Sequence, residues 1–170
     1  MNAPRGLCGP GISPVRKVVN MSLIELIDKR TVKVPLESVD KQGVLREMVD
    51  LLASATDKVS DPEALYRAVL DREALGSTGL EDGIAVPHGK TGAARNICLA
   101  IGTAPQGIDF DAADGAPSRL FFLIAAPADK AGPHVAALAE IARLAHSSAL
   151  INALVHARDE SELIGILQGD

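Results

Sequence analysis

Leu120-Phe121-Phe122-Leu123-Ile124-Ala125-Ala126, led in by Arg119 and stopped by Pro127, is the longest uninterrupted apolar run in the chain. A run with no polar alternation reads as a strand buried on both faces, which requires packing layers above and below it. It is far short of the roughly 20 apolar residues that a bilayer-spanning helix needs. A second strand is read over Asn96 to Thr103, where Ile97, Leu99 and Ile101 alternate with Cys98 and Ala100, and a brief one over Thr31-Val32-Lys33-Val34, closed by Pro35.

Around these strands lie helical patterns. Ser22 to Ile27 reads as a short turn of helix. From about Asp40 to Ser54, Val44, Leu45, Met48, Val49, Leu51 and Leu52 recur at the spacing of an amphipathic helix. Ser60-Asp61-Pro62-Glu63 is a capping-box pattern with an early proline, opening a helix that ends near Gly76 with Arg72 in its last turn. Pro133 begins a further pattern through Val135, Leu138, Ile141 and Leu144, and Asp159-Glu160-Ser161-Glu162 caps a final helix. Strands alternating with helices give the α/β class: one domain, a mixed β-sheet of about five strands flanked by helices on both faces.

The 170 residues suit a single well-buried domain, and the 47% apolar content is Leu, Ile, Val and Ala, with no Trp, one Tyr and three Phe. With 17 basic and 22 acidic residues the formal charge is -5, and no Lys/Arg stripe is present, which argues against nucleic acid as a partner. Cys8 and Cys98 form neither a disulfide framework nor a spaced metal motif, so a reducing, cytoplasmic setting is expected. Residues 1–20 carry Arg5, Arg16 and Lys17 but no continuous apolar block, and read as a disordered tail or a misassigned start ahead of Met21. The Ala-rich helices permit tight packing without marking a dimer face.

Chemistry concentrates in Gly83-Ile84-Ala85-Val86-Pro87-His88-Gly89-Lys90. The apolar segment reads as a buried strand, Pro87 as the end of its ladder and Gly89 as a sharp turn, so that His88 is displayed at the strand end. An imidazole so placed can be a nucleophile, an acid or base, or a metal ligand. The upstream Arg72-Glu73-Ala74-Leu75-Gly76-Ser77-Thr78-Gly79 supplies a permanent cation, hydroxyls and glycine amides that could surround an anion, phosphate being the natural candidate. A P-loop is excluded by register, with five residues between Gly83 and Gly89 where four are needed. A zinc site built from His88, His134 and Asp82 lacks any paired-His or Cys-pair motif, so neither metal nor cofactor is expected. Lys90 reads as a solvated turn residue that adds positive potential, and His146 and His156 as helix-end residues.

Arg72-Glu73, Gly76-Ser77-Thr78-Gly79-Leu80 and the stretch from Gly83 to Lys90 resemble the active-site signature of the enzyme IIA proteins of the bacterial phosphotransferase system, mannitol and fructose superfamily. The likeness continues through Gly107-Ile108-Asp109-Phe110-Asp111, Asp114-Gly115, Ala126-Pro127-Ala128-Asp129 and His134, covering nearly everything from Met21 to Asp170. It departs at Glu81, where the family turn carries glycine or another small residue. The Pro-His-Gly-Lys form and the lack of a fused sugar-transport segment make the nitrogen-regulatory branch the nearer likeness. The resemblance implies a phosphotransferase working through a phosphohistidine: His88 takes a phosphoryl group from a phosphorylated HPr-type histidine phosphocarrier, flanked by Arg72 and His134, and the protein then acts on a downstream regulatory target. The alternative it carries is a sugar-specific enzyme IIA, of fructose or mannitol type, that passes the group to a membrane transport subunit.

Overall fold

A computed structural model describes residues 22–130 and 132–169. Read along the chain, these form α1 (Leu23–Leu26), β1 (Val32–Lys33), α2 (Lys41–Ala55), α3 (Pro62–Ala74), β2 (Ile84–Ala85), β3 (His88–Thr91), β4 (Cys98–Ile108), β5 (Ser118–Pro127), α4 (Gly132–Leu144), α5 (Ser148–Val155) and α6 (Glu160–Gln168). The reading of residues 1–20, with Cys8, lies outside the described residues.

The strands make one five-stranded mixed sheet in the order β1-β4-β5-β2, with β3 also paired to β5. β5 runs antiparallel to β4 and parallel to β2 and β3, so it has neighbours on both sides. Its alternation explains the apolar run. Phe121, Leu123 and Ala125 pack with Val44, Leu45 and Met48 of α2 and Leu65 and Val69 of α3. Leu120, Phe122 and Ile124 face the opposite layer, with Ala137 and Ile141 of α4, Ile151 and Leu154 of α5 and Leu163 of α6. Burying each such Leu, Ile or Phe side chain contributes about 1.5–3 kcal/mol, and both faces of β5 collect it.

Three helices, α2, α3 and α6, start at aspartate caps. Asp40 accepts from the Gly43 amide and Asp159 from the Glu162 amide. At α3 the cap is Asp61, which accepts from Ala64 N, with Pro62 in the first turn, whereas the hydroxyl of Ser60 donates to the Ala93 carbonyl. The capping pattern is therefore set one residue later than Ser60, because Pro62 is already helical at the first position.

Two further expectations are corrected. β4 continues past Thr103 to Ile108 through an irregularity in its pairing with β5; there β1 no longer covers the outer edge, so Pro105 forfeits no ladder bond. Pro87 does not end the ladder, for the chain jogs there and resumes as β3, with Ile124 N still donating to the Pro87 carbonyl at 3.0 Å. The Pro87 N would face β5 as its carbonyl does, so the missing N–H leaves one gap in the ladder, which β3 resumes beyond it.

Candidate functional site

Strand register decides which way His88 points. His88 pairs with Ile124, and residues paired across a parallel ladder share a face, so the imidazole projects into the layer that contains α4. Gly89 pairs with Ala125 and faces the other layer, against α3. Gly89 is thus no turn residue: a Cβ there would lie 3.0 Å from Val69 N and 3.1 Å from Ala68 Cβ, so the absence of a side chain lets α3 close onto β3. That close approach carries the last turn of α3 near enough to His88 for the charges of Arg72 and Glu73 to act on its ring. Lys90, exposed and two residues along β3, lies on the same face as His88.

The ring of His88 is half-buried, and its Nδ1 lies 2.8 Å from the Val86 carbonyl oxygen. A carbonyl can only accept, so Nδ1 carries the hydrogen and Nε2 is left with its lone pair. Burial holds the His88 pKa below its ordinary value, and the charges of Arg72 and Lys90 push the same way. The Val86 hydrogen bond and the Glu73 carboxylate oppose them without prevailing.

His134, in the first turn of α4, stands face-tilted to His88 at 4.9 Å between ring centroids and 45° between planes. It is 6% exposed, and neither ring nitrogen has a hydrogen-bond partner among the described residues. Burial first, then the neighbouring His88 and Lys90, depress its pKa to about 4, so it is neutral at physiological pH. Arg72 reaches forward past the helix end, its Nη1 donating to the Gly76 carbonyl at 2.8 Å, which steadies the loop that follows. The structure therefore brings together His88, His134, Arg72 and Lys90. It leaves out Asp82, whose amide bonds Asp114, and it leaves His146 exposed after α4 and His156 at the end of α5, Nδ1 on the Asn152 carbonyl.

Sequence reading named Glu73 only as part of a motif. Its carboxylate accepts from the Thr78 amide and hydroxyl and pairs with Lys41 Nζ at 3.0 Å. The available signal was a glutamate five residues before a Gly-Ser-Thr-Gly threonine; the lysine partner comes from another helix. Asp82, beside the departure at Glu81, takes a left-handed φ of 61° and Gly83 follows at 79°, a turn that aspartate tolerates.

Comparison with known proteins agrees with this geometry. The family described as phosphoenolpyruvate-dependent sugar phosphotransferase system, EIIA 2, matches residues 25–169. The fructose-specific EIIABC component of the phosphotransferase system of Bacillus subtilis is 37% identical over 147 residues, covering 86% of this chain, which spans 23% of that relative's length. A nitrogen regulatory protein of Bradyrhizobium diazoefficiens is 31% identical over 147 residues, 86% of this chain and 95% of its own. Among solved structures, the nitrogen regulatory protein IIA-Ntr of Neisseria meningitidis superposes with a TM-score of 0.73 at 25% identity, over 85% of this chain and 98% of its own. No helix among the described residues is long and apolar enough to cross a membrane. A match over nearly the whole described chain, joined to the same mixed sheet, settles the affiliation: this protein belongs to the EIIA 2 family of the phosphotransferase system.

Proposed function

We propose that the protein is a phosphocarrier that accepts a phosphoryl group on Nε2 of His88 from a phosphorylated HPr-type histidine phosphocarrier. The observation that carries this reading is the bond from His88 Nδ1 to the Val86 carbonyl, which fixes the tautomer and leaves Nε2 free to attack. The donor's N–P bond breaks as the bond to Nε2 forms. The electron pair returns to the donor ring, while the positive charge that develops on the His88 imidazole is stabilised through Nδ1–H by the Val86 carbonyl. The transition state is loose, so the remaining task is in-line positioning and stabilisation of the equatorial oxygens. Arg72 and Lys90 supply cationic potential, and neutral His134 supplies one ring N–H donor.

The phosphoryl group adds up to two negative charges to a surface that was neutral or cationic, which suits control of a partner protein by attraction or repulsion. The Pro-His-Gly-Lys motif and the long match to a nitrogen regulatory protein favour a regulatory role in the nitrogen branch, acting on a downstream target. The source of phosphate in the family's description, phosphoenolpyruvate, is a cytoplasmic metabolite, and the reading puts the protein in that compartment. A sugar-transport role is the second reading, favoured by the higher identity to a fructose-specific relative.

Intact-mass analysis after exposure to the phosphorylated carrier tests the chemistry: the wild type gains one phosphoryl group and His88→Ala gains none. Label on His88→Ala would sink the assignment. Adding a sugar-specific acceptor subunit to the labelled protein then separates the outputs, since rapid discharge marks transport and persistence marks regulation.

A further inference from the structure

An unbroken series of polar contacts runs from the start of α2 to the reacting ring. Lys41 Nζ pairs with Glu73 at 3.0 Å. Glu73 receives the Thr78 amide at 3.1 Å and the Thr78 hydroxyl. The Thr78 carbonyl accepts from Val86 N at 3.0 Å, and the Val86 carbonyl accepts from His88 Nδ1 at 2.8 Å. Glu73 and Thr78 are almost fully enclosed, with the glutamate side chain 6% exposed.

We propose that Glu73 is a positioning residue for phosphoryl transfer, holding Thr78 and, through the Thr78 and Val86 main chains, fixing the tautomer and aim of His88. The proposal rests on the reading of His88 as the acceptor. Burying a carboxylate against an ammonium is poor evidence of stabilisation, because desolvation offsets much of the attraction. Apolar side chains would fill the same space, but they could not receive both donors of Thr78. The lysine end is anchored independently: Nζ also meets the Phe110 carbonyl at 3.4 Å and Asp111 at 3.3 Å, and stands 4.7 Å from the centre of the Phe110 ring. Ser77 fastens the same loop from its other side, donating to the Phe110 carbonyl at 2.6 Å. Residues 77 and 78 are thereby pinned between two elements, and Val86 can hydrogen-bond only where that pinned strand segment places the Thr78 carbonyl.

A purely architectural ion pair would change stability and leave the ring's tautomer alone. The test is therefore ¹⁵N NMR of the His88 ring in the unphosphorylated protein, together with the rate of transfer from saturating phosphorylated carrier. A carboxamide presents one acceptor and two donors, so Glu73→Gln cannot serve Lys41 and both Thr78 donors together. Glu73→Gln is expected to shift His88 from a single Nδ1–H tautomer to a mixture and to slow transfer about 10-fold or more, with KM for the carrier changed less than about two-fold. Thr78→Val is expected to follow it, and Thr78→Ser, which keeps the hydroxyl, to restore transfer to within about two-fold of wild type. A folded Glu73→Gln with wild-type tautomer and rate overturns the proposal. Should Glu73→Gln not fold, equal tautomer populations and rates in the two Thr78 variants overturn it. Failure of the wild type to label at His88 would instead strike the functional reading, and the tautomer measurement would still decide the role of Glu73.

Discussion

Replacing His134 by leucine should make the protein more robust in acid while making it a poorer phosphoryl acceptor. In the folded state His134 is neutral, its pKa depressed from 6.5 to about 4 chiefly by burial. Each tenfold in a protonation equilibrium is worth about 1.4 kcal/mol, so the full depression amounts to roughly 3 kcal/mol. The sign follows from which state binds the proton. Below pH 6.5 the unfolded chain takes up a proton that the folded chain refuses, so the stability tied to His134 is intact above 6.5 and is lost as pH falls from 6.5 to about 4. At about pH 5 the wild type should have lost about 2 kcal/mol through this residue, a loss that His134→Leu does not share. At about pH 7.5 the variant also sheds two buried ring nitrogens that lack partners, each costing about 1 kcal/mol or more, so it should equal or exceed the wild type. Urea unfolding of both proteins at the two pH values measures this directly. An equal loss of stability on acidification in wild type and variant would refute the reasoning. Phosphorylation of the variant should be weakened but not abolished, because His88 keeps its own lone pair; a stabilised protein that transfers more slowly is the mark of a residue retained for function.

The other perturbations probe the elements that build the site. Arg72→Ala should slow phosphorylation about tenfold and more than Arg72→Lys, which keeps the charge but loses the planar fork; equal rates would remove the guanidinium from the transfer step. Gly89→Ala pushes a methyl into Val69 N and Ala68 Cβ, so denaturant unfolding should show a loss of about 1–3 kcal/mol with slowed labelling, and a variant of unchanged stability would deny the close packing of α3 on β3. The rate of labelling should decline on acidification with a midpoint below the ordinary histidine value of 6.5, because the His88 pKa is lowered, chiefly by burial. A midpoint at or above 6.5 would mean that the ring is not held neutral by its surroundings.

Much of this was legible because it depends on neighbours in sequence. The unbroken Leu120 to Ala126 run announced a strand covered on both faces, the apolar spacing from about Asp40 placed α2, and Asp159 announced the start of α6 through its own side chain. Arg72 in the last turn of α3 and His134 at the start of α4 followed from periodicity. What escaped depends on elements distant in sequence. Gly89 looks like a turn residue locally; its requirement comes from Ala68 and Val69, which only the packing of α3 brings near. Pro87 looks terminal because it cannot donate to the ladder, yet its carbonyl still accepts from Ile124 N and β5 carries the pairing past that one gap into β3. Glu73 reads as an ordinary charged helix residue until Lys41 arrives from α2, and the depth of His134 is set by α4 packing on β5.

The site's electrostatics join these pieces. Arg72 and Lys90 disfavour a proton on His88, and on the proposed reading the same positive potential would favour a phosphoryl group in its place, so that one arrangement would both free Nε2 and receive the incoming charge. Glu73 is the exception, a carboxylate near enough to the ring to act against that field. Its pairing with Lys41 resolves the conflict: the lysine ammonium, whose own pKa is raised by Glu73 and Asp111 despite its partial burial, offsets the charge without removing the two acceptor oxygens. The loop keeps a strong hydrogen-bond acceptor at Thr78, and on the proposed reading an incoming phosphoryl group would meet a net cationic surface. A neutral acceptor at position 73 would give up the first property, and an unpaired carboxylate there would work against the second.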